Sequence, residues 1–292
     1  MQQSIGIDIG ATKIIFVLLE DNQVLKKRKI KTPKNQKELV DALRKNITHL
    51  LPQKGVIAGI GIGVPSLLDL KREVVLNPPN LTCLKECPLP KIVKGCFEEI
   101  PVVMDNDANC FALAEACLGA GKDAEIVCGI TLGSGLGGGI VKAKKIYRGA
   151  FGGAGEIGHM TIKFDGHQCI CGGAGCFEEY ASEKFFKRKK INSKELNRKA
   201  SSGDKQALAI FTEFGNNLGI GLANVVNILE PEIIILGGGI SKAGKYFIPA
   251  ARAEAEKRII SPFSKKYVKI KKAKLGEFAG AIGAALLSTD NY

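Results

Sequence analysis

The chain has 292 residues, 45% hydrophobic and 24% charged, the mixture of a globular protein with a real core. No apolar run approaches the ~20 residues that span a bilayer, and the start MQQSIGIDIG lacks the parts of a signal peptide, so we expect a cytoplasmic protein with no membrane partner. Net charge is +13, but the cations fall in short runs at 26–29, 187–190 and 269–274 without helix-turn-helix or aromatic-basic patterning, which argues against a nucleic-acid partner.

The first thirty residues alternate apolar segments and turns: SIGIDIG, TKIIFVLLE, then VLKKRKI after Asp21-Asn22. That pattern predicts β-hairpins. Residues 36–51 carry Leu39, Leu43, Ile47 and Leu50 at helical spacing. An apolar strand, VIAGIGIGV, ends at Pro65, and the proline-rich residues 77–96 read as a long irregular loop. PVVMD at 101–105 is a short buried strand that feeds a helix at about 107–120.

EIVCGITLGSGLGGGIV then repeats the opening plan of strand, glycine turn with a hydroxyl, strand. Residues 181–229 are mostly helical, IIILGGG at 233–239 is a buried strand ending in glycines, and a helix follows from about 242. A small apolar helix at about 279–288 closes the chain. The repetition predicts a duplicated α/β fold: residues 1–115 with the C-terminal helix (about 280–292), and a larger domain at 116–279.

Three glycine turns could hold phosphates. In the first, Asp8, Gly10, Thr12 and Lys13 combine backbone N–H groups, a hydroxyl, and a carboxylate placed for Mg²⁺. In the second, Thr131, Gly133 and Ser134 repeat the arrangement. It is no dinucleotide fingerprint, because a strand follows instead of a helix. Gly237, Gly238 and Gly239 would let a nucleobase or ribose approach the backbone. A single such turn is structural more often than not; three suggest a clamped nucleotide. Asp105-Asn106-Asp107-Ala108-Asn109 sits where a strand meets a helix. Capping needs only one of these polar residues, and a carboxylate there can take a proton from a substrate hydroxyl.

The densest chemistry lies in 156–178, EIGHMTIKFDGHQCICGGAGCFE. Nine cysteines, an odd number, point to reduced thiols and metal ligation instead of disulfides. His159, Cys169, Cys171 and Cys176 make a tetrahedral set for a structural Zn²⁺. His167 is a rival ligand, and a plain glycine-rich loop with reduced thiols is the bland alternative. Glu156 and Glu178 flank the cluster and would be fixed by the same metal.

These residues resemble the ROK family of bacterial sugar kinases and repressors, within the actin-like ATPase (ribonuclease H-like) superfamily. EIGH and CICGGAGCFE match the family's signatures at every defined position; DNDAN, TLGSGLGGGIV and ILGGGIS agree more loosely. The resemblance implies a two-lobed α/β fold with a zinc-braced loop. It also implies ATP, Mg²⁺ and a small-molecule sugar as ligands, and a homodimer or homotetramer. Carried over by residue, it makes Asp107 the general base and Asn80, Asn106, Glu156, His159 and Glu178 the sugar-binding groups, with His159 also on zinc. The implied reaction is phosphorylation of a hexose at its 6-hydroxyl, glucose foremost, with N-acetylmannosamine, N-acetylglucosamine and fructose as alternatives. A non-catalytic sugar sensor and an actin-like ATPase without sugar chemistry are the competing readings. Two departures stand out: Ala11 replaces a customary glycine, and Ser66 stands where glycine is frequent. Repressors of the family carry an N-terminal helix-turn-helix, whereas this sequence opens on the first strand.

Overall fold

Ile5, Ile7 and Ile9 alternate with Gly6 and Asp8 along β1 (Gln3–Ile9), so one face of the strand is apolar and the other nearly bare. In the computed structural model, which describes residues 2–52 and 56–289, that alternation organises the first sheet. β1 pairs antiparallel with β2 (Lys13–Glu20), and β2 antiparallel with β3 (Gln23–Lys31). On its other side β1 runs parallel to β4 (Ile57–Val64), and β4 parallel to β5 (Val102–Asn106). The order is β3-β2-β1-β4-β5. Asp21 and Asn22 turn β2 into β3 with φ of 43° and 69°, a turn whose twist suits a hairpin.

The isoleucine face packs against α1 (Gln36–Leu50), where Leu39, Leu43, Ile47 and Leu50 are all buried. The opposite face offers Gly6 and Gly61 to α10 (Ala279–Leu287), a helix of small residues. A Cβ at Gly6 would strike the Ala281 carbonyl, and one at Gly61 the Ala284 carbonyl. Glycine here is a packing requirement: it lets helix and sheet backbones touch.

Residues 77–96 are more ordered than the proline content suggests. Among them are a 3-10 turn at Thr82–Leu84 and a helix, α2 (Leu89–Lys94), with Leu81, Leu84, Leu89 and Val93 buried in the first core. Pro90 sits in the first turn of α2, where a missing N–H costs nothing because that donor has no helical partner. Here proline marks a helix start and not irregular chain. α3 (Asp107–Cys117) follows β5 directly and is buried almost all round.

The second sheet contains β6 (Ile126–Leu132), β7 (Leu136–Lys142), β8 (Lys145–Ile146), β9 (Ile233–Gly237) and β10 (Lys269–Lys272), in the order β10-β9-β6-β7-β8. Counted from the first strand of each set, both sheets read 3-2-1-4-5. β6 is parallel to β9, β9 to β10, and β7 antiparallel to β8. Even the hairpin turn recurs, with Ala143 and Lys144 at φ 49° and 63°. The α/β duplication read in the sequence is a duplication of topology. The run 269–274, read only as a basic stretch, holds the edge strand β10, where lysines discourage pairing with other chains.

Against this sheet lie α4 (Phe177–Tyr180), α5 (Glu183–Arg188), α6 (Ser193–Ser201), α7 (Lys205–Leu229) and α8 (Gly244–Arg258). Their core is aromatic: Phe186 stacks on Phe214 at 5.0 Å, and Phe214 meets Phe247 edge-on at 5.1 Å. A further short helix, α9 (Pro262–Tyr267), precedes β10. The chain divides into two compact units: the described residues of Met1–Asp123, Gly139–Ala154 and Leu275–Tyr292, and those of Ala124–Gly138 and Gly155–Lys274. Among the described residues no helix is long and apolar enough to cross a membrane.

Candidate functional site

In the first unit the carboxylates gather where parallel strands end. Asp8 on β1 is level with Gly63 on β4, and Gly63 with Asp105 on β5, so the three share one face of the sheet. Asp107 opens α3 immediately beyond. Asn106 is the N-cap; its side chain accepts from the N–H groups of Ala108 (2.9 Å) and Asn109 (3.4 Å), and its Nδ2 donates to the Ser66 carbonyl (3.3 Å). Asp107 Oδ1 shares in the capping, accepting from the Ala108 N–H at 2.8 Å. Burial, then the neighbouring charge of Asp107, raises the Asp8 carboxyl to about 7, with Lys13 pulling the other way. The Ser66 hydroxyl is turned to the Leu67 carbonyl at 2.8 Å.

The first glycine turn is tied down by Gly10 N–H to the Lys13 carbonyl (3.0 Å) and by the Thr32 hydroxyl to the Gly10 carbonyl (2.7 Å). Thr12 is exposed at its tip. Ala11 is not among the residues with positive φ, so its methyl adds no backbone strain where a glycine is customary. Lys13 forms an ion pair with Glu277 at 2.7 Å, which Lys29 joins at 3.2 Å. Asn80 is exposed in the turn before Thr82–Leu84.

In the second unit, Thr131 on β6 is level with Gly237 on β9, which places two of the glycine turns side by side. Gly238 has φ +82°, and a Cβ there would strike the backbone of Leu132. Gly133 and Gly239 face open space, and Ser134 is exposed. Beside Gly239 a cavity of about 260 Å³ is lined by Glu183, Ser193, Lys194, Asn197, Phe211 and Lys242, among others. None of these had a signal in the sequence, because the lining comes from four separate helical segments.

The cysteine loop is folded on itself by short bridges, Thr161 to Cys176 and Gln168 to Ala174. Gly172 and Gly175 adopt φ of +93° and +71°, which only glycine takes without strain. His159, Cys169, Cys171 and Cys176 bring one ligand atom each to within 4.8 Å of one another. His159 turns Nδ1 to the Cys169 sulfur at 3.7 Å, and Cys171 and Cys176 lie 3.5 Å apart. One ring nitrogen and three sulfurs fit Zn²⁺. The rival His167 instead stacks on Tyr180 at 5.4 Å. Burial raises the Cys169 thiol to about 12, while the Gly173 N–H draws the exposed Cys171 down to about 7.

The second ring nitrogen of His159, Nε2, is 4.0 Å from the Glu156 carboxylate. Burial holds Glu156 above its ordinary value, with His159 opposing. Glu178 is buried, accepts from Lys184 Nζ at 2.7 Å, and lies 3.4 Å from the Cys169 sulfur. Lys184 also reaches Glu179 at 2.6 Å, and Arg188 holds the other oxygen of Glu179 at 2.7 Å. Lys184 was missed in the sequence, where it reads as one more surface lysine.

Comparison with known proteins agrees with these motifs. The ROK family model matches residues 4–291. A glucokinase of Streptomyces coelicolor is 32% identical over 99% of this chain and 98% of its own length. A xylose repressor of Bacillus subtilis is also 32% identical, over 99% of this chain and 77% of its length. The crystal structure of a ROK family glucokinase from Streptomyces griseus, in complex with glucose and AMPPNP, superposes with a TM-score of 0.85 at 33% identity, covering 98% of both chains.

Proposed function

The chain belongs to the ROK family, and from that premise we propose that it is an ATP-dependent sugar kinase acting on the 6-hydroxyl of a hexose, glucose foremost. The observation that carries this reading is the pairing of Asp107 with Asp8. A sugar-binding protein without turnover needs neither a carboxylate at the head of α3 nor a second one at the phosphate turn, where β1 ends beside β4. Glucose is favoured because the Streptomyces relatives at 32–33% identity are glucokinases.

Asp107 takes the proton from the sugar hydroxyl as that oxygen attacks the terminal phosphorus of ATP. Asn106, Glu156, Glu178 and the Nε2 side of His159 hold the remaining hydroxyls, with Asn80 as a further contact. The turns at Gly10–Lys13 and Thr131–Ser134 offer N–H and hydroxyl donors to phosphates, Asp8 is the residue to hold Mg²⁺, and Gly237–Gly239 with the adjoining cavity suit the nucleoside. Mg²⁺, when bound, neutralises phosphate charge; Zn²⁺, when bound, braces the loop that carries His159 and Glu178. The resemblance also suggests a homodimer or homotetramer.

The test is ADP release with Mg·ATP against a panel of hexoses and N-acetylhexosamines, with Asp107→Asn as control. Turnover on one sugar, lowered about 10²–10⁴-fold in the variant, supports the reading. Tight sugar binding without turnover would favour a regulator, in line with the similarity to the Bacillus subtilis xylose repressor.

A further inference from the structure

Asp105 is 1% exposed and fully engaged. Its Oδ1 accepts from the Asn106 N–H at 2.8 Å and from Asn109 Nδ2 at 2.9 Å. Its Oδ2 accepts from Arg148 Nε at 2.8 Å and Arg72 Nε at 3.3 Å. One carboxylate therefore joins three pieces of the first unit: the β5–α3 junction, the hairpin around Arg72, and the turn that follows Arg148.

The junction and the hairpin border residues assigned to the sugar, and the turn is tied to the hairpin through Arg72. The hairpin is closed by Leu76 N–H to the Leu67 carbonyl and Asp69 N–H to the Val74 carbonyl; it begins next to Ser66, whose carbonyl receives the Asn106 side chain. The turn after Arg148 is closed by Ala154 N–H to the Arg148 carbonyl, and Arg72 Nη2 reaches it, 3.4 Å from the Cβ position of Gly152. The Asn106 N–H bound by Asp105 belongs to the peptide just before the one that leads into Asp107.

A buried carboxylate shared by two guanidiniums is an expensive way to stabilise a fold, since apolar residues of the same volume do as well or better. What it supplies is geometry: fixed donors on a fixed acceptor, in a direction that apolar packing does not specify. We propose that Asp105 is a positioning residue for the sugar side of the reaction. It clamps Arg72 and Arg148, and through them two loops, onto the start of α3, so that Asn106 and Asp107 meet the sugar hydroxyls in a fixed register. The inference rests on the sugar-kinase reading above.

The experiment combines calorimetric sugar binding with separate KM values for sugar and ATP, in wild type, Asp105→Asn, Arg148→Gln and the double variant. Arg148 is partly exposed, so its variant keeps the test readable should Asp105→Asn fold poorly. We expect sugar Kd and sugar KM to rise about tenfold in each single variant, with ATP KM within twofold, and the double variant to be no worse than Asp105→Asn alone. Sugar affinity unchanged in both single variants, sugar and ATP constants moving together, or additive losses in the double variant would each overturn the clamp. Failure of the kinase reading looks different: wild type itself would bind or turn over no sugar.

Discussion

The Asp8 carboxylate lies against Gly280, so close that a methyl there would stand 2.7 Å from Oδ2. Gly280 is the second residue of α10, which packs on β1 through the bare face at Gly6. The end of the chain thus shapes the wall behind the residue assigned to Mg²⁺. Gly280→Ala should push the carboxylate aside. We expect kcat to fall at least tenfold and the KM for Mg·ATP to rise, because small displacements at a reacting centre are costly. Sugar binding measured without nucleotide should stay within twofold; an equal loss there would mean that the substitution disturbs the whole unit.

Asp8 also predicts a pH dependence of stability. Its carboxyl rises from 3.8 to about 7 on folding, first through burial and then through Asp107. The folded chain holds that proton more tightly than the unfolded chain, so the contribution is full below about pH 4 and is lost as pH climbs through about 7. Asp8→Asn removes the loss. Its thermal midpoint should exceed that of wild type by about 2–6 °C at pH 8 and match it near pH 4. A difference independent of pH would show that Asp8 does not titrate as described.

Much of this arrangement was legible in the sequence because it is local. Apolar segments between turns point to β1 and β4, helical spacing points to α1, and the candidate metal ligands lie within eighteen residues of one another. The clamp at Asp105 was not legible, for its arginines are 33 and 43 residues away and no spacing rule links them. Gly280 and Lys184 escaped for a similar reason. Their roles exist only once another element has packed against them, as with the short helix α2 around Pro90.

The cysteine loop predicts a stoichiometry. Wild-type protein should carry one equivalent of zinc, and Cys171→Ser well under one, since a hydroxyl is a poor replacement for a thiolate ligand. Loss of the metal should free the His159 ring and loosen the loop that carries Glu178, lowering both the thermal midpoint and sugar affinity. Elemental analysis beside calorimetry checks this. A full equivalent retained by Cys171→Ser would remove that sulfur from the ligand set, and His167→Ala should leave the metal in place.

A substitution at Lys184 distinguishes the work of the Glu178 carboxylate from that of the metal. Although burial opposes it, the hydrogen bonds that Lys184 donates to Glu178 and Glu179 hold its ammonium above its ordinary value. Lys184 and Arg188 likewise keep Glu179 below its own, against burial. Lys184→Met removes the donor shared by two buried carboxylates and leaves Arg188 to hold only Glu179. Glu178, 3.4 Å from the Cys169 sulfur, then loses the ammonium that fixes its direction. We expect sugar affinity to fall about 10–100-fold while zinc stays at one equivalent, the reverse of a ligand substitution, in which metal and affinity fall together. Because Glu179 is held low in the folded chain, its contribution is present above about pH 4.5 and lost as pH falls; the Lys184→Met penalty in thermal midpoint should therefore be larger at pH 7 than at pH 4. Zinc lost along with sugar affinity would mean that Lys184 supports the loop as a whole instead of aiming Glu178.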